Sequence, residues 1–134
     1  EHTIRVSSGK DFILAHIDAK LIVQVIINIV NNAIKYTPEH SRIELFDAPE
    51  GKFVRICVTD DGPGIPEESR GKLFDMFYTL GKTRSDGRRG LGLGLALCRS
   101  IVAAHGGVID VQNAAPHGAC FRFTLPRTEV TLYE

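Results

Sequence analysis

The stretch DAKLIVQVIINIVNNAIKYT, Asp18 to Thr37, decides the fold. Its apolar residues recur at helical spacing, Asp18 is placed to cap the first turn, and Pro38 stops the helix just after Thr37. Ile22, Val25, Ile26, Ile27, Ile29, Val30, Ala33 and Ile34 cover most of the wheel, which predicts a helix buried over most of its surface. With Asn28 set at zero, Asn32 falls at about 40°, Lys35 at about −20°, Gln24 at about −40° and Asn31 at about −60°. Asparagine is a poor helix former, costing several tenths of a kcal/mol against alanine. Three in five positions is therefore either a solvated strip or a strip facing a polar cleft. In a cleft, an amide oxygen can ligate a hard metal ion and a lysine can meet phosphate.

Outward from this helix, the chain reads as short strands and hairpins. Residues 3–7 and 12–17 precede it as strands. Residues 41–47 and 52–60 follow as an antiparallel hairpin around a turn at Pro49, Glu50 and Gly51. A loop, DDGPGIP from Asp60 to Pro66, leads into a short helix from Glu67 to about Phe74. Residues 78–90, with Gly81, Gly87 and Gly90, read as a surface loop. A helix from Leu93 to His105 is stopped by Gly106 and Gly107, and strands at 108–113 and 119–125 close the chain. Hairpins mixed with helices predict an α+β fold: a two-layer α/β sandwich, one mixed sheet with helices packed on one face.

The 134 residues fit a single domain, 1–134, with 43% apolar residues to fill one core and 24% charged residues for its surface. Sixteen basic residues balance 16 acidic ones, which argues against a nucleic-acid partner. Cys57, Cys98 and Cys120 lack metal-ligand spacing and read as small buried apolar residues in a reducing compartment. No run approaches the roughly 20 apolar residues that span a bilayer, and no signal peptide opens the chain, so a cytoplasmic domain is expected.

Two glycine-rich turns carry further chemistry. Asp60-Asp61-Gly62-Pro63-Gly64-Ile65 follows a strand directly. It is a tight turn by composition, but a carboxylate at a strand end can also accept a hydrogen bond from an exocyclic amine, with glycines letting a flat ring approach the backbone. Gly90, Leu91, Gly92, Leu93, Gly94, Leu95 and Ala96 open the last helix. Such a start either packs closely or offers N–H groups and the helix dipole to a phosphate. The spacing is neither that of the Walker lysine loop nor of the dinucleotide fingerprint.

Taken in order, these segments resemble the boxes of the GHKL ATP-binding superfamily in its histidine-kinase form. Asn28 to Thr37 resembles the N box, Asp60 to Ile65 the first glycine box, Leu73 to Tyr78 (LFDMFY) the F box, and Gly90 to Ala96 the second glycine box. The resemblance covers nearly the whole chain and implies a Bergerat-type ATP-binding fold with ATP and Mg2+ as cofactors. It implies that Asn32 ligates the metal and that Lys35 contacts phosphate. Tyr36 would lie beside adenine or ribose, Asp60 would read the adenine amino group, and Gly62, Gly64 and Ile65 would shape the base pocket. Gly90, Leu91, Gly92, Leu93 and Gly94 would admit the phosphates. The loop from Phe77 to Gly90 would be a lid, with Lys82, Arg84, Arg88 and Arg89 able to reach the γ-phosphate; those four charges are equally those of a solvated loop.

Asn28 stands where hydrolysing members carry a glutamate base, and an amide cannot take a proton from water. The resemblance therefore implies transfer of the γ-phosphoryl group to an imidazole, with Asn28, Asn32 and Lys35 as the catalytic set. Asp61 replaces a frequent asparagine of the first glycine box, and Leu91 replaces a common small hydroxyl residue. His2, His16, His40, His105 and His117 lie in strands, turns or a helix end, and all five read as structural. The acceptor histidine is thus expected on a separate dimerisation domain, with a response regulator downstream and a membrane-anchored sensor kinase as the parent; the domain alone is expected to be monomeric. Leu97 to Val102 and Gly118 to Pro126 resemble Kdp-type potassium-responsive sensor kinases. Two alternatives stay open: a GHKL anti-sigma-factor serine kinase, and a nucleotide-binding module without catalysis.

Overall fold

A computed structural model describes residues 3–7, 15–35, 37–75, 94–113 and 117–127. Its element order is β1 (Thr3–Ser7), α1 (Ala19–Lys35), β2 (Arg42–Glu50), β3 (Phe53–Asp60), α2 (Glu67–Arg70), α3 (Gly94–Ala104), β4 (Ile109–Asn113) and β5 (Ala119–Pro126). The strands form one sheet in the order β1-β2-β3-β5-β4. β1 runs parallel to β2 and every other pair is antiparallel. The mixed sheet and its single helical layer match the expected sandwich.

Strand alternation explains where the core lies. Val54 and Val58 of β3 share a face with Phe121, Phe123 and Leu125 of β5, and all five are buried. α1 presents Ile22, Val25, Ile29 and Ala33 to that face, and α3 presents Leu95, Cys98, Ile101 and Val102. The two helices pack against each other and over the sheet. Among the described residues, no helix is long and apolar enough to cross a membrane.

The ends of α1 are fixed by side chains. The Leu21 N–H donates to Asp18 Oδ1 at 3.3 Å, so Asp18 caps the helix as expected. At the other end Thr37 Oγ1 donates to the Ala33 carbonyl at 2.7 Å. His105 joins this helix to α3. Its Nδ1–H donates to the Ile101 carbonyl at 2.8 Å, and its Nε2 accepts from the Asp18 N–H at 3.1 Å. The partners fix a neutral tautomer, because a carbonyl only accepts and a backbone N–H only donates. The structural role expected for His105 at a helix C-terminus is observed.

Four local expectations are corrected. Residues 15–17 are not strand; they lead into the Asp18 cap, whose N–H goes to His105 and not to a ladder. The rest of the expected 12–17 strand lies outside the described residues. The β2–β3 turn is not at Pro49: β2 runs through Glu50, which pairs with Phe53, leaving Gly51 and Lys52 as a two-residue turn with Gly51 at φ 61°. Pro49 is tolerated in the strand because β1 pairs with β2 only as far as Phe46, so its missing N–H faces no neighbour in the ladder. α2 ends at Arg70, and Leu73 and Phe74 reach the core from a turn. Finally, Leu21, Val23, Ile27 and Ile34 are exposed, so α1 is buried on one stripe and not over most of its surface. One helical layer covers the sheet, and α1 has a helical neighbour only on its α3 side among the described elements.

Candidate nucleotide site

A cleft opens between α1, the end of β3 and the start of α3. Its lining includes Asn32, Ala33 and Thr37 from α1 and its C-terminal cap, Asp60 at the end of β3, and Pro63, Gly64 and Ile65 from the following loop. Leu73, Leu95 and Phe121 form apolar walls. The cleft is narrow and opens to solvent, with water-accessible space of about 20 Å³. An apolar slot with a few convergent polar groups is the usual form of a small-molecule site.

Among the described residues, Asp60 is the only charged one of that lining, and it is 8% exposed. Its Oδ1 accepts two backbone N–H groups, from Gly62 at 2.9 Å and from Ala119 at 3.2 Å. Both bonds fall on one oxygen, which leaves Oδ2 as the acceptor available to a ligand. Asp61, next in sequence, serves the sheet: its Oδ1 accepts the Arg42 N–H at 2.7 Å and its N–H donates to the Arg42 carbonyl. The adjacent carboxylates thus divide into one held in the cleft and one closing the start of β2.

The loop after Asp60 is shaped by close approach. A Cβ on Gly62 would lie 2.6 Å from Thr37 Cγ2, and one on Gly118 would lie 1.9 Å from the Asp60 carbonyl oxygen. Gly64 has φ 87°, which favours glycine. Asn113, at the end of β4, bonds the Ile65 backbone twice: Oδ1 accepts its N–H at 2.8 Å and Nδ2 donates to its carbonyl at 3.1 Å. His117 Nδ1 donates to the Gly62 carbonyl at 3.1 Å.

The asparagines of α1 separate by role. Asn31 is exposed. Asn32 is half-buried in the cleft, and its Nδ2 donates to the Asn28 carbonyl at 2.9 Å, leaving Oδ1 for a ligand. Asn28 is outside the cleft lining. Its Nδ2 donates to the Gly94 carbonyl at 3.5 Å and its Oδ1 accepts from Gln24 Nε2 at 3.4 Å, so it ties α1 to the start of α3. Lys35 is exposed at the helix end and is not part of that lining. Of the expected site residues, Asn32, Asp60, Gly62, Gly64 and Ile65 are brought together, with Gly94 beside Asn28. Tyr36, Phe77, Lys82, Arg84, Arg88, Arg89, Gly90, Leu91, Gly92 and Leu93 lie outside the described residues.

Sequence reasoning missed Asn113, Gly118, Ala119 and Phe121 as contributors. All four belong to β4, β5 or their ends, and nothing in their local sequence marks them. The cysteines fit their expected inert role: burial pushes the Cys98 thiol up to about 11, and its Sγ contacts the Val25 carbonyl at 3.7 Å. Cys57 and Cys120 are also pushed up by burial, Cys120 to about 11. A wider groove on the opposite sheet face has its charges paired with each other, Arg55 with Glu50 and Arg122 with Asp110.

Comparison with known proteins places the chain in a family. Residues 17–129 match the family model described as histidine kinase-, DNA gyrase B- and HSP90-like ATPase. The sensor protein KdpD of Clostridium acetobutylicum is 46% identical over 126 residues, which is 94% of this chain and 14% of that protein. The adaptive-response sensory kinase SasA of Gloeothece citriformis is 46% identical over 110 residues, 81% of this chain and 28% of that protein. The chain therefore spans well under a third of these curated relatives. The catalytic domain of histidine kinase ThkA superposes with TM-score 0.81 at 35% identity, covering 94% of this chain and 79% of that one. ThkA in complex with the response regulator protein TrrA gives TM-score 0.75 at 33% identity, over 95% of this chain and 34% of that one. By fold and by sequence, the chain belongs to the histidine kinase-, DNA gyrase B- and HSP90-like ATPase family.

Proposed function

We propose that this chain, residues 1–134 as one domain, binds Mg-ATP and donates the γ-phosphoryl group to a histidine on a separate dimerisation domain of its parent protein. The observation that carries this reading is the free Oδ2 of buried Asp60, aimed into an apolar cleft that also holds the free Oδ1 of Asn32. An adenine ring suits the apolar slot, and its amino group suits a fixed carboxylate oxygen. Gly62, Gly64 and Ile65 would bound the ring.

The magnesium ion fits the donor set in a particular way. Among the described residues, no cluster of three or more acidic, histidine or cysteine side chains could hold a metal alone. A single amide oxygen at Asn32, completed by phosphate oxygens and water, matches the habit of Mg2+ in nucleotide sites. When bound, the ion neutralises charge on the phosphates. Lys35 and the lid cations Lys82 and Arg84 would add to that neutralisation, with Tyr36 and Phe77 at the edges of the nucleotide. The glycines and leucines from Gly90 to Gly94 would offer backbone N–H groups to the phosphates.

Asn28 supports the choice of acceptor. Its amide cannot act as a base; it bonds the Gly94 carbonyl of α3 and Gln24 of its own helix. A neutral imidazole attacks without a base, so positioning and charge neutralisation suffice. ThkA crystallises with a response regulator, and by analogy the phosphoryl group would pass onward to such a partner. KdpD and SasA, matched at equal identity, are both named sensor or sensory kinases, which supports a sensor-kinase parent; a membrane anchor in that parent is part of the proposal. The domain alone is proposed to be monomeric.

The test mixes the chain with Mg-ATP and a matching dimerisation hairpin carrying the acceptor histidine. Acid-labile, base-stable phosphate on the hairpin is expected. Phosphate on serine would point to the anti-sigma-factor type of kinase, and tight ATP binding with no transfer to a non-catalytic module.

A further inference from the structure

We infer that Asn113 is a positioning residue for the base end of the cleft, acting through Ile65; the inference rests on the reading of that cleft as a nucleotide site. Ile65 lines the cleft and is buried, yet it sits in a loop with no ladder partners of its own. Its backbone N–H and carbonyl are both taken by one side chain, Asn113, at 2.8 and 3.1 Å. A primary amide offers one acceptor and one donor side by side in a plane, as a peptide group does. Asn113 therefore supplies the missing strand neighbour at that residue.

The packing leaves this clamp little freedom. A Cβ on Gly64 would lie 2.9 Å from Asn113 Oδ1 and 3.1 Å from the Gly118 carbonyl oxygen. The bare backbone of Gly64 thus lies against the amide, and a side chain at 64 would displace it. On the other arm of the same strand pair, Ala119 N–H holds Asp60 Oδ1 and His117 holds the Gly62 carbonyl. The ends of β4 and β5 grip the loop at Asp60, Gly62 and Ile65. Of these grips, Asn113 alone fixes the loop end farthest from β3, where no sheet bond constrains it.

A clamp of this kind acts on affinity and not on the chemical step. Without it, the loop samples states in which Ile65 does not bound the slot, and the apparent affinity falls by the fraction of time the competent state is lost. The expected loss for Asn113→Ala is about tenfold in Kd for Mg-ATP, and the same factor for ADP, since the clamp touches the base end only. Transfer to the hairpin at saturating ATP is expected to stay at the wild-type rate, so KM rises and kcat does not move.

The experiment measures Mg-ATP and ADP binding by calorimetry on the 134-residue chain, together with hydrogen exchange at the Ile65 amide in the nucleotide-free protein. Thr124→Ala is the matched control. It removes the Thr124 Oγ1 acceptor of the Val108 N–H, 3.1 Å, at the far end of the same strand pair. Faster exchange at Ile65 with an equal loss for ATP and ADP, and an unchanged Thr124→Ala, supports the clamp. Faster exchange with wild-type affinity overturns it, and so does an equal loss in Thr124→Ala. If Asn113→Ala does not fold, Asn113→Asp reads the same quantity: it keeps the acceptor for the Ile65 N–H but sets a carboxylate oxygen against the Ile65 carbonyl, and wild-type affinity there overturns the inference. A wild-type chain that binds neither nucleotide would instead remove the nucleotide reading, while the Ile65 exchange data would still report whether the clamp exists.

Discussion

Under the proposed function, replacing Asp60 by asparagine separates the fold from base recognition at one position. Asp60 Oδ1 accepts the N–H groups of Gly62 and Ala119, and only an acceptor can serve both. An asparagine there must keep its oxygen on that side, which forces its NH2 group into the place of Oδ2. The fold loses only the charge assistance of two hydrogen bonds, about 1 kcal/mol, or roughly 3–5 °C in Tm for a domain of this size. The ligand loses far more. A hydrogen bond to a charged acceptor contributes about 1.5–3 kcal/mol, and two amino groups set face to face leave buried donors unpaired at about 1–3 kcal/mol more. Adenine binding should therefore weaken by at least about 3 kcal/mol, on the order of a hundredfold.

The sign reverses for a base with a carbonyl in place of the amino group. Inosine triphosphate opposes its carbonyl to the carboxylate of the wild type, but it accepts from the amide of Asp60→Asn. The variant should prefer ITP over ATP where the wild type prefers ATP. Calorimetry with both nucleotides, alongside a thermal melt, measures each quantity. An Asp60→Asn protein that stays folded and still binds ATP over ITP at wild-type affinity would refute the assignment of this carboxylate to the base.

Other perturbations read other parts of the structure. Asn32→Ala should weaken Mg-ATP binding about tenfold but leave metal-free nucleotide binding nearly unchanged, as titrations with and without EDTA would show; equal losses in both would remove the metal role. Gly118→Ala forces a Cβ onto the Asp60 carbonyl, where the gap is 1.9 Å, at φ 109°; it should cost at least about 2 kcal/mol in a denaturant melt, with nucleotide binding lost in parallel. His105→Ala breaks the link between α3 and the Asp18 N–H and should cost about 1–2 kcal/mol without changing ATP affinity once folded. Cys98, raised from 9.0 to about 11 by burial, stays neutral in the folded chain while the unfolded thiol ionises. Its stabilising contribution is full below pH 9.0 and is lost as pH rises to about 11, a swing on the order of 3 kcal/mol that Cys98→Ala should lack in paired melts.

How much of this was legible in the sequence depended on the range of each interaction. α1 was legible because its cap, its period and its stop are all local, and Asp60 because it ends a strand at a glycine turn. The β2–β3 turn was misplaced because Pro49 and Glu50 have turn chemistry locally; what admits Pro49 to the strand is the absence of a ladder partner beside it, which only the sheet order supplies. The exposure of Leu21, Val23, Ile27 and Ile34 was likewise invisible to the wheel, since it depends on how many elements cover the helix. Asn113 bonds a residue 48 positions away and Ala119 one 59 positions away. No local period carries such a pairing; it follows from β5 lying beside β3, with Cys120 opposite Thr59.

The three asparagines of α1 carry the same local penalty and serve different ends. Each disfavours the helix by several tenths of a kcal/mol, and a merely solvated strip would gain nothing in return. Asn31 does remain in solvent. Asn28 spends both ends of its amide, on Gly94 and on Gln24, and so fixes where α3 begins relative to α1. Asn32 spends only its nitrogen, on the Asn28 carbonyl one turn back. That bond orients the amide and directs the remaining oxygen to the cleft, where Asp60 presents its own remaining oxygen from the end of β3. Alanine at 32 would suit the helix better and would erase that acceptor. Asp60 Oδ1 and Asn32 Nδ2 are held by hydrogen bonds, and the remaining oxygen of each group keeps acceptor capacity at the same slot, which is why the proposed function gives one to an amino-bearing base and the other to a hard cation.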